Sequence, residues 1–387
     1  MTRMRPGNPV FASLGTTVFE AMSRLAERHG AVNLGQGFPD DGFPEDLLAA
    51  AADATLHGPN QYPSMLGIPD LRRAVAEHDR RFYGIEADPD TEVLVTSGAT
   101  EALASCLLGL LAPGDEVVLF EPMYDCYVPI VRAAGAIPRF VTLRPPTWDV
   151  LREDLEAAFG PRTRAVVLND PLNPAAKVFS TEELDLIAEF VLHHDAHVVC
   201  DEVYEHLVYD GRAHVPLWTR PGMADRCCKV GSAGKTFSLT GWKVGYVTAA
   251  AELLRPVVRA HQFLTFTTPP NLQAAVAIGL RKDDAYFAGL AASLQARRDR
   301  LAAGLRAVGF DVLDAAGTYF LDADFSAVSD LDDRAFAEWL VAEVGVATIP
   351  LSAFYESSAP RSVVRFCFCK RDATIDAALE RLDASLG

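Results

Sequence analysis

The segment GSAGKTFSLTGWKVGY, residues 231–246, sets two lysines among glycines in a stretch that has no other charged residue. Lys235 follows Ser232 by three positions, and Lys243 comes eight positions after Lys235. Lysine is rarely fully buried, and desolvation lowers the pKa of an amine and makes it nucleophilic toward a carbonyl group. The segment therefore predicts that Lys235 reacts with a carbonyl carbon.

Three polar residues follow other apolar runs that read as strands. Asp201 lies near the end of HVVCDE (197–202), Tyr204 comes three residues later, and Asn173 lies in the proline-rich turn NDPLNP. A carboxylate at the end of a buried strand needs a cationic or protonated partner, because burying it unpaired costs several kcal/mol. Taken singly, Asp201 is equally explained as a helix N-cap and Asn173 as a plain turn residue.

The run Ser97-Gly98-Ala99-Thr100-Glu101 carries a strand into a helix through small residues. Free N–H groups and the helix dipole at such a start attract anions such as phosphate, although small residues there also simply permit tight packing. Together, an anion-binding helix start, a carboxylate, an amide, a tyrosine and an amine meet the needs of pyridoxal phosphate (PLP). The pattern therefore predicts a PLP site.

The elements that position these residues form an alternating series from about residue 92. Short β-branched runs and longer helical patterns alternate, which predicts βαβ units and a mostly parallel sheet, with ligands at the carboxyl ends of the strands. A hydroxyl at Ser180 three residues before Glu183 predicts a capping box for the helix that follows. The predicted strands are TEVLVTS (91–97), DEVVLF (115–120), PRFVTL (138–143), RAVVLND (164–170), HVVCDE (197–202), RCCKVGS (226–232) and GYVTAA (245–250).

The composition changes after about residue 285, where long Ala/Leu/Arg helices precede the short strands TYFLDADF and SVVRFCF. This change predicts an α/β protein with a large domain over residues 46–284 and a smaller C-terminal α+β domain over residues 285–387. Residues 1–45 are predicted to form an arm that contributes to the small domain and to the active site.

Charge and cysteine usage exclude several classes of partner. The 387 residues include 35 Lys and Arg against 52 Asp and Glu, a net charge of −17, which argues against nucleic acid and against an anionic membrane surface. No apolar stretch is long enough to span a bilayer, and no signal peptide is evident. Seven cysteines without a C-x-x-C pair indicate reduced thiols and a cytoplasmic location.

The motifs in order resemble those of the fold type I PLP-dependent aminotransferases of class I/II, and most closely the branch of kynurenine aminotransferase, glutamine transaminase K and methionine aminotransferase. The resemblance runs nearly from end to end. It is carried by VNLGQGFPD (32–40), NQYPSMLGIPDLR (60–72), SGATEAL (97–103), DEVYEHLVY (201–209), SAGKTFSLTGWKVGY (232–246) and VVRFCF (363–368).

The resemblance implies a role for each cofactor residue. Lys235 would bind the aldehyde carbon covalently and then move the proton between the substrate Cα and the cofactor. Asp201 would pair with the protonated pyridine nitrogen, Asn173 and Tyr204 would hydrogen-bond the phenolic oxygen, and Tyr124 would stack on the ring. The resemblance therefore names Lys235, Asp201 and Tyr204 as catalytic residues.

The resemblance also implies a phosphate site and a dimer. Tyr62 matches a tyrosine that reaches the phosphate in the neighbouring subunit, which implies a homodimer with shared active sites. The residues that would hold the phosphate within one chain are Gly98, Ala99, Thr100, Ser232 and Lys243.

For the substrates, an amino acid and a 2-oxo acid, the resemblance points to Arg365. Its planar guanidinium can hold an α-carboxylate through two hydrogen bonds, with help from Asn173 and the backbone of Gly37. The side-chain pocket is predicted to include Phe19, Tyr124, Phe266 and Phe354. No second arginine for a dicarboxylate is evident. These residues predict methionine, aromatic, glutamine or kynurenine donors and a poor reaction with aspartate.

Two positions depart from the family pattern. Asn173-Pro174-Ala175-Ala176 stands where the widespread pattern is N-P-T-G, so the turn lacks its glycine. Lys243 stands where many relatives carry arginine. The lysine keeps the positive charge but lacks the planar guanidinium group.

Several other functions fit the sequence less well. A dinucleotide enzyme would need G-x-G-x-x-G, but Gly35-Gln36-Gly37 runs into Phe38-Pro39. The histidines at 193, 194 and 197 close a helix, and no metal site is predicted from them. A transcription regulator with an aminotransferase-like domain would carry a DNA-binding domain in front. Within enzymes, a β-lyase acting on cysteine conjugates or cystathionine-like substrates and a succinyl-diaminopimelate aminotransferase remain the alternatives.

Overall fold

The N-terminal segment pairs with the C-terminal part of the chain. The computed structural model describes residues 7–387. Its first elements are the helices α1 (Pro9–Ala12) and α2 (Val18–His29) and the short strand β1 (Val32–Asn33). β1 pairs in parallel with residues Val346–Ala347.

Seven strands form the large sheet, in the spatial order β2-β8-β7-β6-β5-β3-β4. They are β2 (Val93–Thr96), β3 (Glu116–Glu121), β4 (Ile137–Thr142), β5 (Thr163–Asn169), β6 (His197–Asp201), β7 (Cys227–Ser232) and β8 (Gly245–Thr248). Only β8 runs against its neighbours in this sheet. The predicted mostly parallel sheet is thus confirmed, and each predicted strand boundary is within two residues of the observed one.

Helices cover both faces of this sheet, because buried strands alternate their side chains between two cores. Val166 and Val198 point into one core, whereas Val167 and Val199 point into the other. The predicted capping box is present at Ser180 and Glu183. The helices are α3 (Glu45–His57), α4 (Pro69–Tyr83), α5 (Ala99–Leu110), α6 (Tyr127–Ala133), α7 (Arg152–Ala158), α8 (Thr181–His193), α9 (Ala233–Thr236), α10 (Ala251–Leu264) and α11 (Pro270–Leu280).

The C-terminal part contains an antiparallel sheet in the order β12-β13-β10-β9 with helices around it. This is the α+β character that the sequence predicts, while the boundaries at residues 45 and 285 stay a prediction. None of the helices within residues 7–387 is both long and apolar enough to cross a bilayer. The elements are α12 (Asp284–Ala307), β9 (Asp311–Val312), β10 (Phe320–Asp324), α13 (Asp333–Trp339), β11 (Val346–Ala347), β12 (Ile349–Pro350), β13 (Val363–Cys367) and α14 (Asp372–Leu386).

The three central strands end side by side. β5, β6 and β7 are parallel neighbours, and Asn169 at the end of β5 lies opposite Asp201 at the end of β6. Ser232 ends β7. Because parallel strands bring their carboxyl ends to one edge of the sheet, the polar residues that follow them come together there.

Candidate active site

A cavity of about 340 Å³ lies at this edge of the sheet, between the large sheet, the arm and β13. Three of the predicted site residues are not part of its lining, namely Tyr62, Phe266 and Phe354. The predicted residues that line it are Phe19, Gly37, Gly98, Ala99, Thr100, Tyr124, Asn173, Asp201, Tyr204, Ser232, Lys235, Lys243 and Arg365.

Lys235 lies on the short helix α9 immediately after β7. Its Nζ donates a 2.7 Å hydrogen bond to the hydroxyl of Tyr319 and lies 5.6 Å from the centre of the Tyr204 ring. Part of the residue is open to the cavity, but its amine is enclosed closely enough that desolvation lowers the pKa of Lys235. A lowered pKa leaves more of the amine in its nucleophilic, neutral form.

Asp201 is a buried carboxylate with one oxygen left over. Its Oδ2 accepts a 2.5 Å hydrogen bond from the hydroxyl of Tyr127, while its Oδ1 has no partner in the described part of the chain. Burial raises the pKa of Asp201 to about 6, against the opposing effects of the Tyr127 hydroxyl, the nearby backbone N–H of Val203 and the Lys235 charge. An unpaired buried oxygen is costly, so this site is suited to a ligand that brings a positively charged N–H group. A protonated pyridine nitrogen meets that requirement.

Asn173 is held by the end of the neighbouring strand. The Asn169 side chain accepts from the N–H of Asn173 at 2.7 Å and donates to the carbonyl of Asp201 at 2.8 Å, so one amide ties the turn to β6. The side-chain oxygen of Asn173 accepts from Nη1 of Arg365 at 2.8 Å. Since its oxygen is used in this way, Asn173 has its NH₂ group left for a ligand.

The turn from Asn173 to Ala176 lacks the glycine of the family pattern, yet its last residue has a left-handed backbone conformation. Ala176 has a φ of +53°, a region that costs an L-residue roughly 1–2 kcal/mol. Its N–H donates to the carbonyl of Leu172, and its own carbonyl accepts from Gly317, both at 2.8 Å. These two hydrogen bonds hold the turn in the shape that a glycine would adopt without strain.

Helix α5 begins at the opposite end of the cavity. Gly98 precedes it with a φ of +78°, and a Cβ added there would lie 3.3 Å from Nζ of Lys243. The ammonium of Lys243 therefore lies at the helix start, where N–H groups are free. Glu101 accepts from the N–H of Ser97 at 3.0 Å and fixes the turn. A charge and free N–H groups together make this end suitable for a phosphate.

Arg365 lies in β13 and is 1% exposed. Its Nη2 donates to the carbonyl of Gly35 at 3.0 Å, and its guanidinium lies 3.8 Å from the centre of the Phe320 ring. Within residues 7–387 it forms no salt bridge with a carboxylate, and burial lowers its pKa. Asp322, opposite Arg365 in the neighbouring strand, lies beyond salt-bridge distance, and burial raises the pKa of its carboxyl group. The guanidinium is therefore suited to an external carboxylate.

Two further tyrosines, which the sequence did not identify, also contact site residues. Tyr127 bonds Asp201, and the hydroxyl of Tyr319 donates to the carbonyl of Gly37 at 2.6 Å while it accepts from Lys235. Tyr127 lies three positions after the predicted Tyr124, at the first residue of α6, but no sequence pattern marks it as a partner of Asp201. Tyr319 likewise has no sequence signal, since its partners are distant in sequence.

The three predicted residues outside the cavity lie in two places. Tyr62 is 84% exposed, and its ring packs edge-on against that of Phe266, with the centroids 5.9 Å apart. Phe354 is buried behind the cavity wall, 5.7 Å from the Phe19 ring and 4.9 Å from the Arg365 guanidinium. The roles of all three therefore stay predictions.

One group of potential metal ligands lies behind the active site. Ligand atoms of His78, Glu205 and His206 lie within 4.8 Å of one another. However, the two imidazoles bond each other at 2.7 Å, and the Lys229 ammonium lies 2.6 Å from Glu205 and 3.1 Å from Asp79. Because this buried ammonium already pairs with both carboxylates and would repel a divalent ion, the group is explained as an ion-pair network.

Comparison with known proteins identifies the family. Residues 29–382 match the family described as Aminotransferase class I and II. The chain is 48% identical to a probable N-succinyldiaminopimelate aminotransferase of Mycobacterium tuberculosis, with 99% of this chain and 97% of the relative covered. It is 41% identical to the methionine aminotransferase of Escherichia coli (95% and 96% covered) and 39% identical to kynurenine–oxoglutarate transaminase 3 of Rattus norvegicus (95% and 87% covered).

The solved structure of N-succinyldiaminopimelate aminotransferase from Mycobacterium tuberculosis matches this fold with a TM-score of 0.95, at 48% identity and with 98% of this chain and 99% of that chain covered. The family match covers most of the chain, and the relatives are named as transaminases. The chain therefore belongs to the class I and II aminotransferases, has their fold type I architecture, and is an enzyme of amino-group transfer.

Proposed function

We propose that this aminotransferase uses pyridoxal phosphate, bound in the 340 Å³ cavity, to transfer the amino group of an L-amino acid to a 2-oxo acid. One observation supports the proposal most strongly. The amine of Lys235 and the unpartnered oxygen of Asp201 belong to the same cavity, where a single ligand can engage both. The bound cofactor would supply an aldehyde and an electron-withdrawing ring.

In this proposal the chain holds the ring through its polar atoms. Asp201 keeps a proton on the ring nitrogen, and the raised pKa of its free carboxyl falls once that cation is present. Asn173 and Tyr204 donate to the phenolic oxygen, and Tyr124 covers one face of the ring. Because Asp201 and Asn173 are fixed by hydrogen bonds within the fold, the ring is oriented before substrate enters.

The phosphate would lie at the start of α5. Backbone N–H groups there point along the helix axis, and the helix dipole adds to their attraction for an anion. Lys243 supplies the charge. The full set proposed for the phosphate is Gly98, Ala99, Thr100, Ser232 and Lys243, with Tyr62 of the partner subunit.

Lys235 is proposed to bind the cofactor aldehyde carbon in the resting enzyme and to move the proton of the substrate Cα during turnover. Its lowered pKa increases the fraction of neutral amine that can act as a base. Tyr319 accepts from the amine when Lys235 is free, and so keeps it directed into the site. The rings of Tyr204 and Tyr319, with centres 5.6 and 5.3 Å from Nζ, make the surroundings of the amine less polar, which strengthens these interactions.

Arg365 is proposed to bind the α-carboxylate of every substrate. Asn173 already contacts the guanidinium, and this contact orients it. The backbone of Gly37 would contribute as well, since it lies so close to Phe320 that a Cβ would be 2.7 Å from that ring. Only glycine allows such an approach of the backbone to the substrate side of the cavity.

The donor is proposed to carry an apolar or long uncharged side chain, as methionine, aromatic amino acids, glutamine and kynurenine do. Phe19, Tyr124 and Phe320 supply aromatic surface in the cavity. Once Lys235 and Lys243 are assigned to the cofactor, Arg365 is the remaining cation among the lining residues that the structure describes. A second carboxylate, as in aspartate, would therefore lack a partner.

A succinyl-diaminopimelate donor is the second candidate. The 48% identity to a probable N-succinyldiaminopimelate aminotransferase favours it. Such a donor carries carboxylates beyond the one that Arg365 would hold, so this candidate requires additional cationic groups at the outer end of the site.

A homodimer in the cytoplasm is proposed as the working form. Tyr62 and Phe263 are 84% and 85% exposed, and Leu56 is 76% exposed, so these large apolar side chains are available to a contact between subunits. All seven cysteines are free thiols, as expected in a reducing compartment.

The test is a panel of amino donors and 2-oxo acid acceptors with the purified enzyme, in which keto acid, ammonia and pyruvate are measured separately. Stoichiometric keto acid from methionine or aromatic donors is expected, with little from aspartate. Lys235→Ala should abolish the transfer, whereas Lys282→Ala, which removes a lysine that pairs with Asp46 outside the cavity, should retain it. Release of ammonia with pyruvate as the main products would replace this proposal with a β-lyase, and turnover confined to the succinylated donor would select the second candidate.

A further inference from the structure

Two thiols lie in contact beside the active site without a role in amino transfer. Cys367 ends β13 two residues after Arg365, and Cys369 follows it. Their Sγ atoms are 3.2 Å apart, and both residues are fully buried. A disulfide has an S–S length of about 2.05 Å, so the sulfurs need to approach by only about 1 Å to be joined.

A small second cavity lies next to one of the two thiols. It has a volume of about 60 Å³ and is bordered by Cys369 together with Lys235 and Tyr319, and by Pro39 and Gly42 of the arm. A cavity of this size exceeds the roughly 10–15 Å³ that one water molecule requires, so it has room for a molecule as small as hydrogen peroxide beside Cys369.

The surroundings favour a reactive sulfur at this position. The Lys370 ammonium, which bonds the carbonyl of Phe38 at 2.8 Å, and the Arg365 guanidinium both lie near. Burial by itself would raise the pKa of Cys367, but the hydrogen bond from Cys369 and the two charges outweigh it and lower the pKa to about 7. A thiol pair that loses one proton near neutral pH supplies a thiolate, which is the form that oxidants attack.

Two other cysteine pairs lie in surroundings that do not favour a thiolate. The hydrogen bond to Cys228 and burial raise the pKa of Cys106, and the hydrogen bond to Cys227 and burial raise the pKa of Cys200. These four thiols lie in the core of the large sheet and do not line either cavity beside Lys235. They therefore serve as internal controls.

We propose that Cys367 and Cys369 form a modification site, at which a hydroperoxide joins the two sulfurs reversibly into a disulfide and lowers the activity of the enzyme. After its proton passes to Cys367, the sulfur of Cys369 attacks the peroxide. An S–O bond forms, the O–O bond breaks, and the leaving hydroxide takes a proton from solvent. Cys367 then attacks the oxidised sulfur, an S–S bond forms, the S–O bond breaks, and water leaves with the Cys367 proton. Two thiols are oxidised and one peroxide is reduced to two waters.

The activity falls because the disulfide moves the strand that carries one site residue. Cys367 ends β13 two positions after Arg365. Closing the sulfurs pulls on this strand and shifts the guanidinium that the amino transfer requires for the substrate carboxylate.

The test uses the cofactor-loaded full-length enzyme treated with hydrogen peroxide, followed by alkylation under denaturing conditions and tryptic digestion. Cleavage after Arg365 and Lys370 yields the peptide of residues 366–370, which contains both cysteines and no other. We expect this peptide to lose two hydrogen masses, to resist alkylation and to recover both thiols with dithiothreitol. Activity should fall and recover in parallel.

Cysteine variants distinguish oxidation of Cys367 and Cys369 from oxidation elsewhere in the protein. Cys369→Ser should show no loss of two hydrogens and no reversible inhibition, whereas Cys228→Ser should respond as the wild type does. The proposal is overturned if the peptide stays fully alkylated at peroxide doses that oxidise the half-exposed Cys126. It is likewise overturned if Cys369→Ser is reversibly inhibited to the same extent. Since the main readout is a peptide mass, its failure is distinct from a failure of the proposed function.

Discussion

Replacement of Asp201 by asparagine should stabilise the cofactor-free enzyme while it weakens cofactor binding. The carboxyl is buried with Oδ1 unpartnered in the described residues, and its pKa is about 6 against an ordinary value of 3.8. A pKa difference of this size corresponds to roughly 3 kcal/mol of free energy of unfolding. Asparagine keeps the shape and can still accept from Tyr127, but it carries no charge to desolvate.

The pH dependence follows from the direction of that pKa change. Between pH 3.8 and about 6 the folded state keeps a proton on Asp201 that the unfolded state has lost. The contribution of Asp201 to stability is therefore complete below pH 3.8, falls as the pH rises, and is fully lost above about pH 6. Asp201→Asn should thus gain up to about 3 kcal/mol near pH 8, and the gain should shrink steadily below pH 6.

The assay is urea unfolding of the cofactor-free protein at several pH values, with Asp225→Asn, a change at an exposed site, as the matched control. Cofactor affinity is measured on the same samples by titration. A loss of stability in Asp201→Asn near pH 8, or a change in stability that is the same at every pH, would refute the reasoning. Unchanged cofactor affinity would remove Asp201 from its proposed role.

Two further substitutions test the substrate and lysine contacts. Arg365→Lys keeps the charge but loses the planar guanidinium that can form two hydrogen bonds, so kcat/KM should fall about 10- to 100-fold for all donors alike, the equivalent of one charge-assisted hydrogen bond. Arg361→Lys, at an exposed position, should leave kcat/KM unchanged. An effect on a single donor would contradict the carboxylate role. Tyr319→Phe leaves the Gly37 carbonyl and the Lys235 amine without a partner, so the cofactor-free protein should lose about 1–3 kcal/mol of stability. Thermal unfolding should show a smaller loss in the loaded enzyme, where Lys235 is engaged by the cofactor, and an equal loss in both forms would argue against this contact.

The sequence allowed the central architecture to be predicted because its signals are local. β-branched runs mark the strands, the hydroxyl and carboxylate at Ser180 and Glu183 mark a helix start, and polar residues at strand ends mark the cavity. Asp201 and Lys235 line the same cavity, and both follow strands that the sequence marks in this way. The antiparallel direction of β8 has no such local signal, because it depends on which strand edge is free.

The remaining contacts join residues far apart in the chain. Tyr127 meets Asp201 across 74 positions, and Tyr319 meets Lys235 across 84 positions. No periodicity or motif encodes such a pairing, which arises only when the elements pack. Tyr62 is a different case, because its predicted partner belongs to a second subunit and a single chain leaves it exposed.

The central claim is that the amine of Lys235 binds the aldehyde of pyridoxal phosphate. Sodium borohydride reduces the covalent link between an amine and that aldehyde to a stable bond, and peptide mapping then locates the label. The account predicts one pyridoxyl group per chain on Lys235, and none in Lys235→Ala. A label on Lys243 instead, or no label on a protein that is saturated with cofactor, would contradict it.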